Sequence, residues 1–274
     1  MLVKKIILIT GASSGIGKAT AKQLLSEGHI VYGASRKAKE MSDFNEDNFH
    51  AISMDVTKYD QIEKGVNQII KEQGKIDVLF NNAGYGLYGT VEEISIDQAK
   101  YQFDVNLFGL ARLTQLILPH MRKQKFGMIV NTSSIGGKMY TPFGAWYHAT
   151  KHALEGWSDC LRLETKEFGI KVVIIEPGAI KTGFGDVLYD PMLNISGNGP
   201  YKNLVQKVAK SYKARMGDKG SGSDPSVIAK TVSKAINSKN PKTRYAAGSM
   251  AKLILFIRKW FSDKIFDKVI MSQI

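Results

Sequence analysis

The feature that most constrains the fold of this chain is an alternation of short apolar runs with helix-length segments over residues 1–176. The runs lack regular polar alternation, which is typical of parallel strands buried on both faces. Repeated strand–helix–strand units predict a doubly wound α/β fold, a parallel sheet with helices on both faces. The strand candidates are Val3–Ile9, His29–Ala34, Phe49–Met54, Ile76–Phe80, Gly127–Asn131 and Lys171–Ile175.

The helix candidates complete this pattern within a single domain over residues 1–274. They are Gly15–Glu27, Tyr59–Glu72, Ile96–Arg122, Ala145–Glu167, Tyr201–Met216 and Pro225–Asn237, with a further short strand near Thr243–Ala246. Residues 1–176 are expected to form the core. Residues 178–216, loop-rich at first, are expected to form a mobile lid. Residues 249–274 are predicted to form a tail of two short amphipathic helices.

Composition excludes several classes of protein. A single cysteine, Cys160, permits no disulfide within the chain and no thiolate metal cluster, and the five histidines suggest no zinc site. No apolar run approaches the roughly 18 residues that a membrane-spanning helix needs. We therefore expect a cytoplasmic protein without a metal and without a nucleic-acid partner.

Positive charge is concentrated in the last part of the chain. Residues 201–274 contain 16 lysines and arginines against four acidic residues, whereas the whole chain has a net charge of +13. Three interpretations are open: a solvated lysine-rich surface, a site for an acidic ligand group, or contact with an anionic membrane.

In the tail, apolar stripes accompany the charge. One stripe comprises Leu253, Phe256, Ile257 and Trp260, and the other comprises Phe261, Ile265, Phe266 and Val269. A covered domain edge or oligomer contact is the alternative to an interfacial membrane helix.

A glycine-rich turn follows the first strand directly. Residues 10–17 read Thr-Gly-Ala-Ser-Ser-Gly-Ile-Gly, and a helix begins there. Glycine permits a tight turn and close approach of the backbone to a pyrophosphate, which the helix N-terminus then binds. The turn therefore predicts a dinucleotide site on a Rossmann-type fold.

Further motifs in the same order make the chain similar to the short-chain dehydrogenase/reductase family, across about residues 1–185. Besides the glycine-rich turn, they are Asp55-Val56, Asn81-Asn82-Ala83-Gly84, Asn106, Ser134, Tyr147-x-x-x-Lys151 and Pro177-Gly178-x-x-x-Thr182. Their order and the late Thr243-Arg244-Tyr245 segment resemble the retinol and hydroxysteroid dehydrogenase-like branch.

The resemblance implies a set of cofactor-binding residues. Among them, Asp55 lies by the adenine ring, and Asn82 borders the cofactor and supports the sheet. The segment that starts at Pro177-Gly178 and includes Thr182 contacts the nicotinamide carboxamide. The full set comprises Gly11, Ser13, Ser14, Gly15, Ile16, Gly17, Ser35, Arg36, Lys37, Asp55, Val56, Asn82, Ala83, Gly84, Tyr147, Lys151, Pro177, Gly178, Ile180 and Thr182.

The end of the second strand predicts which dinucleotide is used. Residues 33–37 read Gly-Ala-Ser-Arg-Lys, without the acidic residue that would bind a free ribose 2′-hydroxyl. Arg36 offers a planar fork suited to a 2′-phosphate, and Lys37 adds a point charge. We therefore expect NADP(H).

Tyr147 and Lys151 lie four residues apart in a predicted helix and so share one face. A nearby ammonium favours the phenolate, and we expect Lys151 to lower the pKa of Tyr147 toward neutral pH. Tyr147 is then the general acid/base of hydride transfer to a carbonyl carbon. By resemblance, Lys151 also binds the nicotinamide ribose.

Two more residues are expected at the reacting centre. Ser134, thirteen residues before Tyr147, would hydrogen-bond the substrate oxygen, with Ser133 as the neighbouring candidate. Asn106 resembles the family residue that interrupts a helix and holds a water behind the lysine.

The substrate is expected to be an apolar carbonyl compound or alcohol, such as a lipid, steroid or retinoid. We expect Phe143, Trp146, Phe184, Tyr189, Met192 and Leu193 to border it, with core packing as the alternative.

Family analogy suggests a homodimer or homotetramer. Two other functions stay open: a reductase of acyl thioesters, and a sensor that binds NADP(H) without turnover.

Overall fold

A computed structural model describes residues 3–44, 46–182, 186–216 and 220–274. Within these ranges one parallel sheet of seven strands forms in the order β3-β2-β1-β4-β5-β6-β7. The strands are β1 (Ile6–Thr10), β2 (Ile30–Ser35), β3 (Phe49–Ser53), β4 (Val78–Asn81), β5 (Gly127–Thr132), β6 (Ile170–Pro177) and β7 (Arg244–Ala247). This arrangement confirms the predicted single-domain doubly wound fold.

Helices cover both faces of the sheet, because alternate strand residues point to opposite sides. Ile7 and Ile9 face α1 and α8, while Ile6 and Leu8 face α2, α4 and α5. The helices are α1 (Gly15–Ser26), α2 (Tyr59–Gln73), α3 (Ile96–Phe103), α4 (Gly109–Gln124), α5 (Ala145–Glu164), α6 (Asp186–Ser196), α7 (Lys202–Met216), α8 (Pro225–Asn237), α9 (Ala251–Trp260) and α10 (Asp263–Met271).

The predicted helix Ile96–Arg122 is interrupted. A π-helical turn, Asp104–Phe108, separates α3 from α4, and Asn106 lies at its centre. Gly109 follows the turn, and a Cβ there would come within 2.2 Å of the Val56 carbonyl oxygen. Close contact with the segment after β3 therefore accompanies the change in helical pitch.

Part of the predicted loop after β6 is helical. The sequence favoured a loop over residues 178–200, yet α6 occupies Asp186–Ser196 and includes Pro191. Its apolar residues Leu188 and Met192 pack with Val205 and Val208 of α7, and this burial stabilises the helix despite the proline. The predicted hinge glycines Gly183 and Gly185, with Phe184 between them, lie outside the described residues.

The tail forms two helices, as expected, but its buried side differs from the predicted stripes. Ile254 of α9 packs with Phe266 and Ile270 of α10 and with Met139, whereas Trp260 remains largely exposed. The tail thus covers one end of the domain. None of the described helices is both long and apolar enough to cross a bilayer.

Candidate active site

A large cavity opens at the carboxyl ends of the strands, where doubly wound proteins bind ligands. Its volume is about 1220 Å³. All of the predicted site residues line it except Gly17 and Asn106, which lie behind its wall. The fold therefore brings residues from the whole length of the predicted core to one place.

The glycine-rich turn has the close contacts that its sequence predicted. Gly11 has φ +67° and Gly15 has φ +52°, conformations that glycine adopts without strain. A Cβ on Gly17 would lie 2.1 Å from the Gly11 carbonyl oxygen. No side-chain cap from Ser14 occupies the first N–H groups of α1, so these donors remain for a ligand.

Asn82 fixes the turn to the end of β4. Its Nδ2 donates to the carbonyl of Thr10 at 3.1 Å, and the N–H groups of Asn82 and Ala83 donate to Thr10 Oγ1, each at 3.0 Å. These hydrogen bonds connect the end of β1 to the end of β4, so Asn82 stabilises the contact between these two strands.

The end of β2 differs from the expectation in one respect. Lys37 forms an ion pair with Glu40 at 2.9 Å, so a carboxylate does reach this part of the cavity. Ser35 Oγ donates to Ser13 Oγ at 2.9 Å and joins the strand end to the glycine-rich turn. Arg36 has no ion pair among the described residues. Of the two cations at this strand end, Arg36 is consequently the one that no carboxylate of the described residues engages.

The remaining predicted cofactor residues border the cavity on two sides. Asp55 accepts hydrogen bonds from the N–H and hydroxyl of Thr57, at 2.9 and 2.8 Å, which hold the loop after β3. On the other side, a Cβ on Gly15 would meet Thr182 Cγ2 at 3.2 Å. Gly178 donates to Ala247 at 2.8 Å, joining the end of β6 to β7.

Ser134, Tyr147 and Lys151 meet beyond the end of β5. Ser134 lies close enough to Tyr147 for its side chain to act on the pKa of the phenol. Ser134 Oγ also accepts from the N–H of Gly136 at 3.0 Å, which fixes its orientation. Lys151 Nζ donates to the carbonyl of Thr132 at 2.8 Å and lies 6.0 Å from the ring centre of Tyr147.

The expected lowering of the tyrosine pKa is wrong. Burial raises the pKa of Tyr147 to about 12, and the hydrogen bond from Ser134 opposes this only in part. Burial also lowers the pKa of Lys151 to about 8, although Glu155 opposes that shift. The ammonium of Lys151 bonds to Thr132 and not to the phenol, so desolvation dominates. At neutral pH the phenol carries its proton and can donate it.

Asn106 holds the wall behind Lys151. Its Oδ1 accepts from the N–H of Tyr85 at 3.0 Å, and its Nδ2 donates to the Tyr85 carbonyl at 2.9 Å and to Thr150 Oγ1 at 3.1 Å. A Cβ on Gly84 would lie 3.1 Å from Asn106 Oδ1 and 3.8 Å from Lys151 Nζ. The π-helical turn therefore positions Asn106 close to the lysine.

Sequence reasoning missed a hydrogen-bonded chain at the substrate end of the cavity. The Thr141 N–H donates to His148 Nε2 at 3.1 Å, so Nδ1 carries the proton and donates to the Gly136 carbonyl at 2.9 Å. Tyr212 donates to Thr141 Oγ1 at 2.7 Å, and Tyr88 packs edge-on against Tyr212. In the sequence, only the position of His148 next to Tyr147 could have indicated that His148 belongs to the site.

Of the residues expected to border the substrate, those that the structure describes do not line this cavity. An apolar cluster beside Tyr147 contains Phe143, Tyr189, Met192 and Leu193, and a second cluster contains Trp146. These residues therefore pack in the core, which was the alternative to a role at the substrate. Phe184 lies outside the described residues. The apolar lining comes instead from Tyr88, Met139, Leu188, Val208, Ile254, Ile270 and Ile274. Three of these belong to the tail, which no motif connected with the site.

The sequence is similar to a known family and to characterised proteins within it. The family profile described as short chain dehydrogenase matches residues 5–191. A 3-ketodihydrosphingosine reductase from Bacteroides thetaiotaomicron is 39% identical over 96% of this chain and 95% of its own length. An NADPH-dependent 3-dehydrocapnine reductase from Ornithobacterium rhinotracheale is 32% identical over 97% of this chain and 96% of its own.

The fold also matches a solved structure over nearly the whole chain. The crystal structure of a short-chain dehydrogenase from Streptomyces avermitilis superposes with a TM-score of 0.83 at 33% identity. The match covers 97% of this chain and 96% of that chain, so it includes the tail as well as the core.

Proposed function

From the premise that the chain belongs to the short-chain dehydrogenase family of oxidoreductases, we propose that it is an NADP(H)-dependent reductase of an apolar ketone or aldehyde. The observation that carries the proposal is the convergence of Ser134, Tyr147 and Lys151 in the same cavity as the glycine-rich turn. The reverse reaction, oxidation of the corresponding alcohol, uses the same groups.

The residues at one end of the cavity fit a dinucleotide phosphate. The positive φ of Gly11 and the close approach at Gly17 leave backbone and no side chain at the turn, beside the N-terminus of α1. Arg36 supplies the fork for the 2′-phosphate. The NADPH-dependent relative supports the same choice of cofactor. When bound, the cofactor supplies the hydride.

The protein groups supply the proton and hold the carbonyl. Ser134 donates a hydrogen bond to the substrate oxygen, and Tyr147 transfers its phenolic proton to that oxygen as negative charge develops there. The raised pKa of Tyr147 keeps the proton in place until this moment. Lys151 lies beside the ring of Tyr147 with its ammonium on the Thr132 carbonyl, and Asn106 holds the backbone behind it.

The substrate is proposed to be a hydrophobic ketone of lipid character. The apolar lining of the substrate end, with contributions from α6, α7, α9 and α10, supports this class. A relative named for 3-ketodihydrosphingosine, a ketone of the sphingosine type, supports it as well. A reductase of acyl thioesters and a sensor without turnover remain the alternatives. A homodimer or homotetramer also stays a prediction.

A panel of ketones tests the proposed function. Purified protein is mixed with NADPH or NADH and with long-chain ketones, short ketones and acyl thioesters, and the loss of cofactor absorbance is followed. We expect turnover with long-chain ketones and NADPH. Turnover with thioesters alone would contradict the ketone assignment, and tight NADPH binding without turnover on any substrate would favour the sensor.

We predict that Tyr147→Phe lowers turnover at least about 1000-fold, because it removes the only proton that this position can transfer. The affinity for NADPH should change little. Single-turnover absorbance measures the first quantity and titration calorimetry the second, with Tyr85→Phe as a control at another tyrosine of the cavity. Turnover within tenfold of wild type would contradict the role of general acid.

A further inference from the structure

The outer side of the tail presents large apolar side chains that the fold does not use. We call the set Leu253, Phe256, Trp260, Phe261 and Ile265 the tail face. Each of these side chains is between 44% and 66% exposed. Leu253, Phe256 and Trp260 follow one another at spacings of three and four residues, so they share one side of α9.

The tail helices are anchored without the tail face. Ile254, Phe266 and Ile270 form their own cluster on the inner side, with Met139, and each is at most 6% exposed. Exposed side chains opposite a complete core contribute little to folding. Packing within the fold therefore does not account for the tail face. Exposed apolar patches of this kind are typical of interaction surfaces.

Uncompensated positive charge lies on the same two helices as the tail face. Within the ranges that the structure describes, the exposed lysines Lys252, Lys259, Lys264 and Lys268 have no ion pair. The nearby acids are already engaged, since Asp263 pairs with Arg258 at 2.7 Å and Asp267 accepts from the Tyr140 hydroxyl at 2.9 Å. An anionic partner would meet cations and apolar side chains together.

We propose that the tail face docks on the surface of an anionic lipid bilayer. Aromatic and aliphatic side chains enter the interface, and the lysines meet the anionic headgroups. A second copy of this chain is a poorer occupant, because a symmetric contact through the same face would place like charges opposite each other. Charge complementarity thus favours the bilayer.

The opposite side of the same helices borders the cavity. Ile254 of α9 and Ile270 of α10 line its substrate end, so docking brings that end close to the lipid. A substrate dissolved in the bilayer would then have a short path to Tyr147, a step that rests on the proposed reduction of a lipid ketone. The docking itself does not depend on the reaction.

Vesicle sedimentation tests the docking. The full chain is mixed with vesicles of equal parts phosphatidylglycerol and phosphatidylcholine, or of phosphatidylcholine alone, and the pellet is measured. We expect sedimentation with the anionic vesicles only, and less of it as salt rises from about 0.05 to about 0.5 M. Wild-type protein that stays in the supernatant at low salt would overturn the proposal, as would equal binding to both vesicles.

Two pairs of variants separate charge from apolar contact. Replacing Lys264 and Lys268 by glutamine should weaken the partition coefficient about 30-fold. The control pair, Lys58→Gln just before α2 and Lys71→Gln within it, should leave the coefficient unchanged. Phe256→Ser with Trp260→Ser should weaken it about tenfold or more. The control for the apolar pair is Val91→Ser, because Val91 has the same 66% exposure as Trp260. Equal losses in test and control variants would overturn the proposal.

Two further measurements keep the outcomes distinct. Thermal unfolding and NADPH titration show that each variant is folded before its partition coefficient is compared. Sedimentation velocity shows whether Trp260→Ser dissociates an oligomer; dissociation without vesicle binding by the wild type would identify the tail face as a contact between copies and overturn the proposal. Vesicle binding without turnover on any ketone would contradict only the proposed function.

Discussion

At the scale of single residues, we expect the charge at the end of β2 to govern the choice between NADPH and NADH. We predict that Arg36→Asp shifts the ratio of kcat/KM for NADPH and NADH by at least about tenfold toward NADH. The change removes the phosphate fork and adds a carboxylate that repels phosphate. Lys37→Ala is the matched control, with a smaller effect expected because Lys37 is paired with Glu40. An unchanged ratio in Arg36→Asp would assign phosphate recognition elsewhere.

His148 makes the fold sensitive to acid. Burial lowers the pKa of His148 to about 4, below the ordinary 6.5 that the unfolded chain retains. Between these values the unfolded state binds more protons, so the free energy of unfolding falls as pH drops from 6.5 to 4, by up to about 3 kcal/mol. Urea unfolding at pH 7 and pH 4.5 should show a smaller loss in His148→Asn, which cannot titrate. Parallel losses in both proteins would contradict this origin.

At the scale of elements, the π-helical turn is held by one side chain. We predict that Asn106→Ala lowers the free energy of unfolding by about 1–3 kcal/mol, since the Tyr85 N–H and carbonyl and the Thr150 hydroxyl lose their shared partner. Asn67→Ala, at an exposed position of α2, should change it by no more than about 0.5 kcal/mol. Urea unfolding measures both, and equal losses would mean that the turn does not need Asn106.

The sheet could be predicted because burial on both faces leaves continuous apolar runs, and β4 and β6 lie within one or two residues of their predicted starts. The break between α3 and α4 was expected only through the family resemblance of Asn106, because residues 104–108 include neither proline nor glycine and the close contact of Gly109 with Val56 involves a distant segment. Conversely, residues 178–200 were expected to be loop-rich, yet packing against α7 maintains the helix α6 within them. Local patterns fail where tertiary contact decides.

Most of the predicted cofactor and reacting residues line one cavity because they follow strand ends, where a parallel sheet brings them together. The substrate end could not be predicted in this way. Ile254, Ile270 and Tyr212 reach it from helices distant in sequence, and nothing in their own segments indicates which neighbour they meet. The pKa of Tyr147 was also beyond reach, since it depends on burial and on where Lys151 points.

At the scale of the whole molecule, only the inner side of the tail packs against the rest of the domain. We predict that Phe266→Ala lowers the free energy of unfolding by about 3–5 kcal/mol, because its fully buried ring leaves a cavity. Trp260→Ala, on the exposed side, should change it by no more than about 0.5 kcal/mol. Denaturant unfolding distinguishes them, and a large loss for Trp260→Ala would mean that the tail face is structural.

The strand order also matters while the chain is being made. β1 leaves the ribosome first, yet it lies inside the sheet, where Ile7 pairs with Val31 on one side and with Val78 on the other. Until β4 has been translated, one edge of β1 therefore presents unpaired backbone N–H and C=O groups on a strand whose side chains are apolar except for Thr10. Parallel pairing between distant segments is slow to form. An unpaired edge of this kind is prone to wrong pairing with other strands until β4 covers it.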